Sequence, residues 1–211
     1  MKALIIANGN IKNPEHLLKL ISRADLVICA DGGTNHLEKI KIVPHIIIGD
    51  LDSINTYGKT LIKKNIVKLI QYPGNKDATD TELAALYAVE QGAFDITFTG
   101  VTGTRLDHTL ANIFLLKQMA DINIKSRIID DNNKIFLVQD KTIIKKNKDS
   151  FISLLPLTAK VEGITTTGLE YELNNAEMQF GISLGISNRF KEDTATVSIK
   201  KGILIAAISR D

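Results

Sequence analysis

The first 130 residues alternate short, β-rich apolar runs with helical patterns, and this alternation constrains the fold more than any other feature. The runs are "ALIIA" (3–7), "LVICA" (26–30), "HIIIG" (45–49), "IVKLIQY" (66–72), "FDITFTG" (94–100) and "KSRIID" (125–130). Between them, Asn13 is placed to cap a helix with Pro14 in its first turn and Leu17, Leu18 and Ile21 on one face. Further helices are expected from about Thr34, over Gly58 to Lys64, in "DTELAALYAVEQG" with Thr79 and Glu82 as a capping box and Gly92 as the stop, and in "DHTLANIFLLKQMA". Continuous apolar strands joined by helices predict a parallel sheet covered on both faces.

After Asp130 the pattern changes. "KIFLVQ", "SFISLLPL", "GITTTGLEYEL", "MQFGISL", "TATVSIK" and "GILIAAIS" all read as strands, separated by Asn, Gly, Lys and Asp, without a helical period. The expected fold class is therefore α/β: an N-terminal parallel-sheet α/β domain over 1–132, then an all-β, sandwich-like C-terminal domain over 133–211. "DDNN" and "KKNKD" are the candidate joints.

At 211 residues and 44% hydrophobic, the chain has enough apolar surface for a substantial core. Its 26 basic and 24 acidic residues leave a net charge of +2, too balanced for a nucleic-acid or membrane-surface partner, so any phosphate must be bound locally. Cys29, the single cysteine, lies in an apolar run and reads as a core residue in a reducing cytoplasm. The opening "MKALIIANG" breaks after five apolar residues, short of a signal-peptide core or a membrane span.

In an open parallel sheet, ligands collect beyond the carboxyl ends of the strands. The unusual residues fall there: "ANGN" (7–10), "ADGGTN" (30–35), "GDLDS" (49–53), "GNKDATD" (74–80) and "TGVTGTRLDH" (99–108). Each alone has an ordinary explanation as a turn, a cap or an ion pair; five on one edge predict a site. In an extended backbone Asp50 and Asp52 would project from one face, a crowding relieved by a shared cation. Asp50, Asp52, Asp77 and Asp80 are hard oxygen donors suited to Mg²⁺. The glycine-rich "TGVTGT" backbone can approach phosphate, and Arg105 can fork onto its oxygens. With no G-x-x-x-x-G-K-[ST] and no G-x-S-x-G, neither a P-loop kinase nor a serine hydrolase is supported. The residues alone point to a Mg²⁺-dependent enzyme acting on a nucleotide or polyphosphate.

The ordered set "ADGGTNHL", "IIGDLDS", "KDATDTELAALY" and "TGVTGTRLDH", followed by "GISLGISNRF", resembles the thiamine pyrophosphokinase family over nearly the whole chain. The resemblance implies a homodimer with sites between subunits, ATP as co-substrate, and transfer of its β,γ-diphosphate to the hydroxyethyl group of thiamine with release of AMP. It places Asp31, Asp50, Asp52 and Asp80 in catalysis, with Asp31, Asp52 and Asp80 all open as acceptor of the alcohol proton. Asp50, Asp52, Asp77 and Asp80 would serve the metal. Asn8, Gly9, Asp77, Thr102, Gly103, Arg105, Asp107 and His108 would serve ATP. Gly32, Gly33, Ser187 and Asn188 would serve thiamine. Arg189 follows Asn188 where many bacterial relatives have Glu, and the chain lacks the tryptophan that covers thiamine in some relatives, leaving Phe190 or Tyr171 for that role. A related diphosphokinase acting on another small alcohol, such as a hydroxymethylpterin, would carry similar ATP-side motifs. A nucleotide-binding module without turnover is the alternative from a different class.

Overall fold

The computed structural model describes residues 1–72 and 77–211, and the Gly74–Lys76 part of the fourth loop lies outside the described residues. The chain divides into two compact units, Met1–Asp131 and Asn132–Asp211.

In the first unit the strands are β1 (Lys2–Ile6), β2 (Leu26–Ala30), β3 (Ile46–Gly49), β4 (Lys68–Gln71), β5 (Asp95–Thr99) and β6 (Lys125–Ile129). They lie side by side in the order β6-β5-β1-β2-β3-β4, every pairing parallel. The intervening helices are α1 (Pro14–Ile21), α2 (Thr34–Ile40), α3 (Thr56–Lys63), α4 (Asp80–Glu90) and α5 (Leu106–Asp121).

Side chains alternate across each strand, so both faces need cover. Leu4, Ile6, Val27, Cys29 and Ile47 pack with Leu17 and Leu20 of α1, Leu37 of α2 and Leu61 of α3. Ile5, Ile28 and Ile48 are fully buried between these positions, and α4, with its buried Ala84, Ala85 and Ala88, packs along β1, β2 and β3. The helix starts follow their sequence signals. Asn13 accepts from the His16 N–H with Pro14 in the first turn, and Thr79 accepts from the Glu82 N–H.

The second unit is a two-sheet antiparallel sandwich. Its strands are β7 (Asn133–Val138), β8 (Lys141–Lys145), β9 (Phe151–Pro156), β10 (Lys160–Thr167), β11 (Ala176–Gln179), β12 (Gly185–Arg189), β13 (Thr194–Ser198) and β14 (Leu204–Ser209). The orders are β12-β9-β14-β7 and β11-β10-β13-β8. Val138, Ile152, Leu154, Leu204 and Ala206 from one sheet meet Ile144, Val161, Ile164, Met178 and Val197 from the other.

Several local expectations here are corrected. "GITTTGLEYEL" is not one strand: β10 stops at Thr167, because Gly168 has φ +75° and turns the chain. "MQFGISL" stops at Gln179, and the "GISNR" after it pairs with β9 as β12. "KTIIK" pairs with β13 as β8, so "KKNKD" connects strands inside the second unit, whose first residue is Asn132.

The order β6-β5-β1-β2-β3-β4 makes the chain run outward from β1 in one direction and from β5 in the other. The topological switch point is therefore the gap between the carboxyl ends of β1 and β5. Next to it, the backbone after β2 makes a single 3₁₀ turn, Asp31–Gly33, that feeds directly into α2. This turn needs glycine for lack of room, since a Cβ on Gly33 would lie 1.9 Å from the Ile6 carbonyl oxygen. Gly33→Ala is therefore expected to destabilise the first unit by roughly 3 kcal/mol, read from denaturant unfolding. Wild-type stability would show that the contact between β1 and the Asp31–Gly33 turn yields at little cost.

Candidate active site

The loops after β1 and β5 are stitched together by backbone hydrogen bonds: Ala7 N–H to Thr99 O at 2.9 Å, Gly9 N–H to Gly100 O at 2.6 Å and Asn10 N–H to Thr102 O at 2.8 Å. They form one wall of a cavity of about 540 Å³ at the switch point, also lined by Asp31, Asp50, Ser53, Thr79–Thr81, Arg105, His108 and Asn112. Of the expected ATP residues, Asn8, Gly9, Thr102, Gly103, Arg105 and His108 line this cavity. Asp77 is exposed and is not among the lining residues.

The acidic end is built by turns. The expectation that Asp50 and Asp52 share one face of an extended segment is corrected: β3 ends at Gly49, and Leu51 between the two aspartates has φ +72°. That left-handed residue folds the chain back, so the Asp52 N–H approaches Asp50 Oδ1 at 3.3 Å and the Ser53 hydroxyl donates to Asp52 Oδ1 at 2.7 Å. Asp31, Asp50 and Asp52 each bring a carboxylate oxygen within 4.8 Å of the others. Asp80, the first residue of α4, joins this end: its Oδ1 lies 3.2 Å from where a Gly49 Cβ would sit, and Asp31 Cβ is 2.9 Å from the same point.

Asp31 is the unusual member. It is 9% exposed, its backbone is left-handed at φ +44°, and its buried Oδ1 has no hydrogen-bond partner among the described residues. Burial raises its carboxyl above the ordinary range. Hydrogen bonds from Ser53 and the Gly32 backbone oppose that rise, and the charges of Asp52 and Asp80 add to it. A strained, buried carboxylate with one oxygen lacking a hydrogen-bond partner among the described residues, beside two others, is a donor set that a hard cation would satisfy.

The loop after β5 brings a guanidinium to the same cavity. Arg105 directly precedes α5 and grips Asp107 through two hydrogen bonds, of 3.2 and 2.5 Å. The guanidinium holds the Asp107 carboxyl down to about 2. Both side chains are well exposed, so the pair is a presented group and not a buried strut.

Gly32 and Gly33, expected at thiamine, are both buried, and crowding accounts for them. A Cβ on Gly32 would lie 2.5 Å from Asn8 Nδ2 and 3.0 Å from the Ser53 carbonyl oxygen. In the second unit, the Asn188 amide is engaged with the backbone of Tyr171. It accepts from the Tyr171 N–H at 3.1 Å and donates to the Tyr171 carbonyl at 2.7 Å. Tyr171 is held this way with its side chain presented, 69% exposed, whereas Phe190 is 7% exposed within the sandwich core. Ser187 is left-handed at φ +55°, in the bulge of β12, and the Arg189 guanidinium lies 5.5 Å from the centre of the Phe151 ring.

Sequence reasoning missed some supporting residues. Asn112, 9% exposed on α5, donates to the Val101 carbonyl at 2.9 Å, and Asp130 accepts from the Thr102 hydroxyl at 2.9 Å. Both fix the glycine-rich loop. A buried polar residue in the helix four positions beyond His108 was the available signal for the first. Asp130 directly follows β6, and nothing local marks it.

The comparisons with known proteins agree with this geometry. The family described as thiamin pyrophosphokinase, catalytic domain, matches residues 17–128, and the thiamin pyrophosphokinase vitamin B1 binding domain matches residues 141–204. The chain is 37% identical over 215 residues to the thiamine pyrophosphokinase of Bacillus subtilis (strain 168), covering 100% of both chains. It is 28% identical to thiamine pyrophosphokinase 2 of Oryza sativa subsp. japonica, covering 96% of this chain and 84% of the relative. The crystal structure of thiamine pyrophosphokinase from Bacillus subtilis superposes with a TM-score of 0.89 at 34% identity over 100% of both chains. That of thiamin pyrophosphokinase from Geobacillus thermodenitrificans gives 0.86 at 29% identity over 100% of this chain and 98% of the other. Full-length identity, both domain matches and the shared two-part architecture place this chain in the thiamin pyrophosphokinase family.

Proposed function

We infer that the protein transfers the β,γ-diphosphate of ATP to the hydroxyethyl group of thiamine, forming thiamine diphosphate and AMP. The observation that carries the reading is the lining of the switch-point cavity, which gathers carboxylates and a glycine-rich loop with Arg105 in one space. Such a cavity suits a polyphosphate whose charge must be neutralised along its length.

The carboxylates fit Mg²⁺, which takes hard oxygen ligands at about 2.0 to 2.1 Å and keeps several waters. Asp50 and Asp52 would hold it together with Asp31, whose Oδ1 has no hydrogen-bond partner among the described residues, and Asp80 flanks them. When bound, the cation would supply charge neutralisation on the phosphate oxygens. The chain's own groups do the rest. The backbone of Gly9 and Gly103 allows close approach of phosphate, and Arg105 balances negative charge on ATP. The cavity walls hold the β-phosphorus in line with the thiamine hydroxyl. As the new O–P bond forms, the bond from the β-phosphorus to the oxygen bridging the α-phosphate breaks, AMP leaves with that electron pair, and the hydroxyl proton passes to Asp31, Asp52 or Asp80.

For thiamine, the second unit would contribute Ser187 and the exposed ring of Tyr171, with Asn188 holding the Tyr171 backbone. We further propose a homodimer in which this surface meets the first unit of the partner. Exposed apolar side chains on each unit support an association surface: Leu106, Leu110 and Phe114 at successive turns of α5, and Phe180, Ile182 and Leu184 after β11. Among the described residues no helix is long and apolar enough to cross a membrane, and the single cysteine is buried, which suits the cytoplasm.

The deciding measurement is the nucleotide product with thiamine as acceptor. AMP is expected, and ADP would refute diphosphate transfer. Asp50→Asn and Asp52→Asn should each lower turnover at least about 100-fold with an unchanged circular dichroism spectrum; wild-type activity at low Mg²⁺ in either would remove the metal assignment. Arg105→Ala should raise the KM for ATP about 10-fold or more and leave the KM for thiamine nearly unchanged, whereas an equal rise in both would reassign Arg105 and Asp107 to loop structure. Mixing inactive Asp50→Asn with a thiamine-site variant, Ser187→Ala combined with Tyr171→Ala, under subunit exchange should recover roughly a quarter of wild-type activity. A verified mixture with no recovery would exclude sites shared between subunits.

A further inference from the structure

We propose that Asn35 is the positioning residue that sets the geometry of the carboxylate cluster, a role that rests on the cation reading above. Asn35 is the second residue of α2 and lies four positions beyond Asp31. Its side-chain Nδ2 donates to the Asn8 Oδ1 and to the Ser53 carbonyl, both at 3.1 Å, and its Oδ1 accepts from the Asn55 N–H at 3.1 Å. The carbonyl and N–H partners are backbone groups, so the orientation of the amide is dictated and not a matter of choice.

One amide thus joins three segments that approach the site from different strands. It clamps the backbone at both ends of Ser53–Asn55, immediately after the aspartate turn. The clamped Ser53 is the residue whose hydroxyl donates to Asp52 Oδ1 at 2.7 Å and which lies close enough to Asp31 to oppose the rise of its carboxyl. The third bond holds Asn8, on the wall stitched to the glycine-rich loop, against Gly32. The aspartate turn includes a left-handed leucine at Leu51, a conformation that does not maintain itself. The docking of α3, by contrast, has its own support from buried Ile54 and Leu61 and from the Asn55 cap on the Gly58 N–H. Loss of the Asn35 amide should therefore loosen the carboxylates far more than the fold.

The test is Mn²⁺ binding to the full-length protein without nucleotide, followed by electron paramagnetic resonance of the free ion. Asn35→Ala removes all three bonds. Asn35→Asp keeps an acceptor for Asn55 but sets an oxygen against the Asn8 and Ser53 oxygens. In protein shown to be folded by circular dichroism, each is expected to raise the Mn²⁺ Kd by about 10-fold or more, to lower kcat with the KM for thiamine unchanged, and to regain part of kcat at high Mg²⁺. A wild-type Mn²⁺ Kd in either folded variant would overturn the role. Wild-type protein that binds no Mn²⁺ would instead overturn the cation reading itself, and with it the basis of this inference. Should both variants fail to fold, the wild-type ¹⁵N resonance of the Asn35 side-chain amide decides: a shift on Mg²⁺ titration supports the coupling, and an unmoved resonance refutes it.

Discussion

The hydrogen bonding of β1 on both of its edges, to β2 on one side and β5 on the other, is the constraint on which the rest of the site depends. With the chain leaving β1 toward β2 and leaving β5 toward β6, the two following loops diverge, and the space between them cannot be filled by a connection. Backbone hydrogen bonds continue past the strand ends, from Ala7 to Thr99 and from Gly9 to Gly100, so that one wall of the opening is hydrogen-bonded main chain. A wall made of main chain presents polar groups without side-chain entropy to lose, which suits a surface meant for phosphate.

Around this opening the electrostatics are deliberately unbalanced. Asp31, Asp50, Asp52 and Asp80 gather without a lysine or arginine among the groups that shift Asp31, whose burial and like-charged neighbours raise its carboxyl. Arg105 sits on a partner it can keep while solvent-exposed. Carboxylates and guanidinium line one cavity from loops of different strands, where a polyanion and a divalent cation can be placed together.

The second unit solves a different problem. Its β12 carries a bulge and a left-handed Ser187, and its asparagine side chain is spent on the backbone of Tyr171. The effect is to fix a loop and present an aromatic ring, while Phe190, directly after β12, fills the core. Of the polar pair read from sequence, Asn188 also braces the neighbouring loop through the Tyr171 backbone.

The sequence by itself determined the parallel α/β unit, because continuous apolar runs separated by amphipathic helices have few other ways to bury both faces. It also determined the capping of α1 and α4, because Asn13 and Thr79 act on groups three residues away. It named the loops of the site, since strand ends in such a sheet share an edge. Only tertiary structure decided which carboxylates meet. Asp31 joins Asp50 and Asp52 through adjacent parallel strands, whereas Asp77, near Asp80 in sequence, remains exposed. It also decided that Asp50 and Asp52 meet through a left-handed turn, and that Asn35 and Asn112 support the loops, because those bonds join residues from separate strands and helices. Local periodicity reports which side of an element is buried; it carries no record of which distant backbone group a side chain will find there.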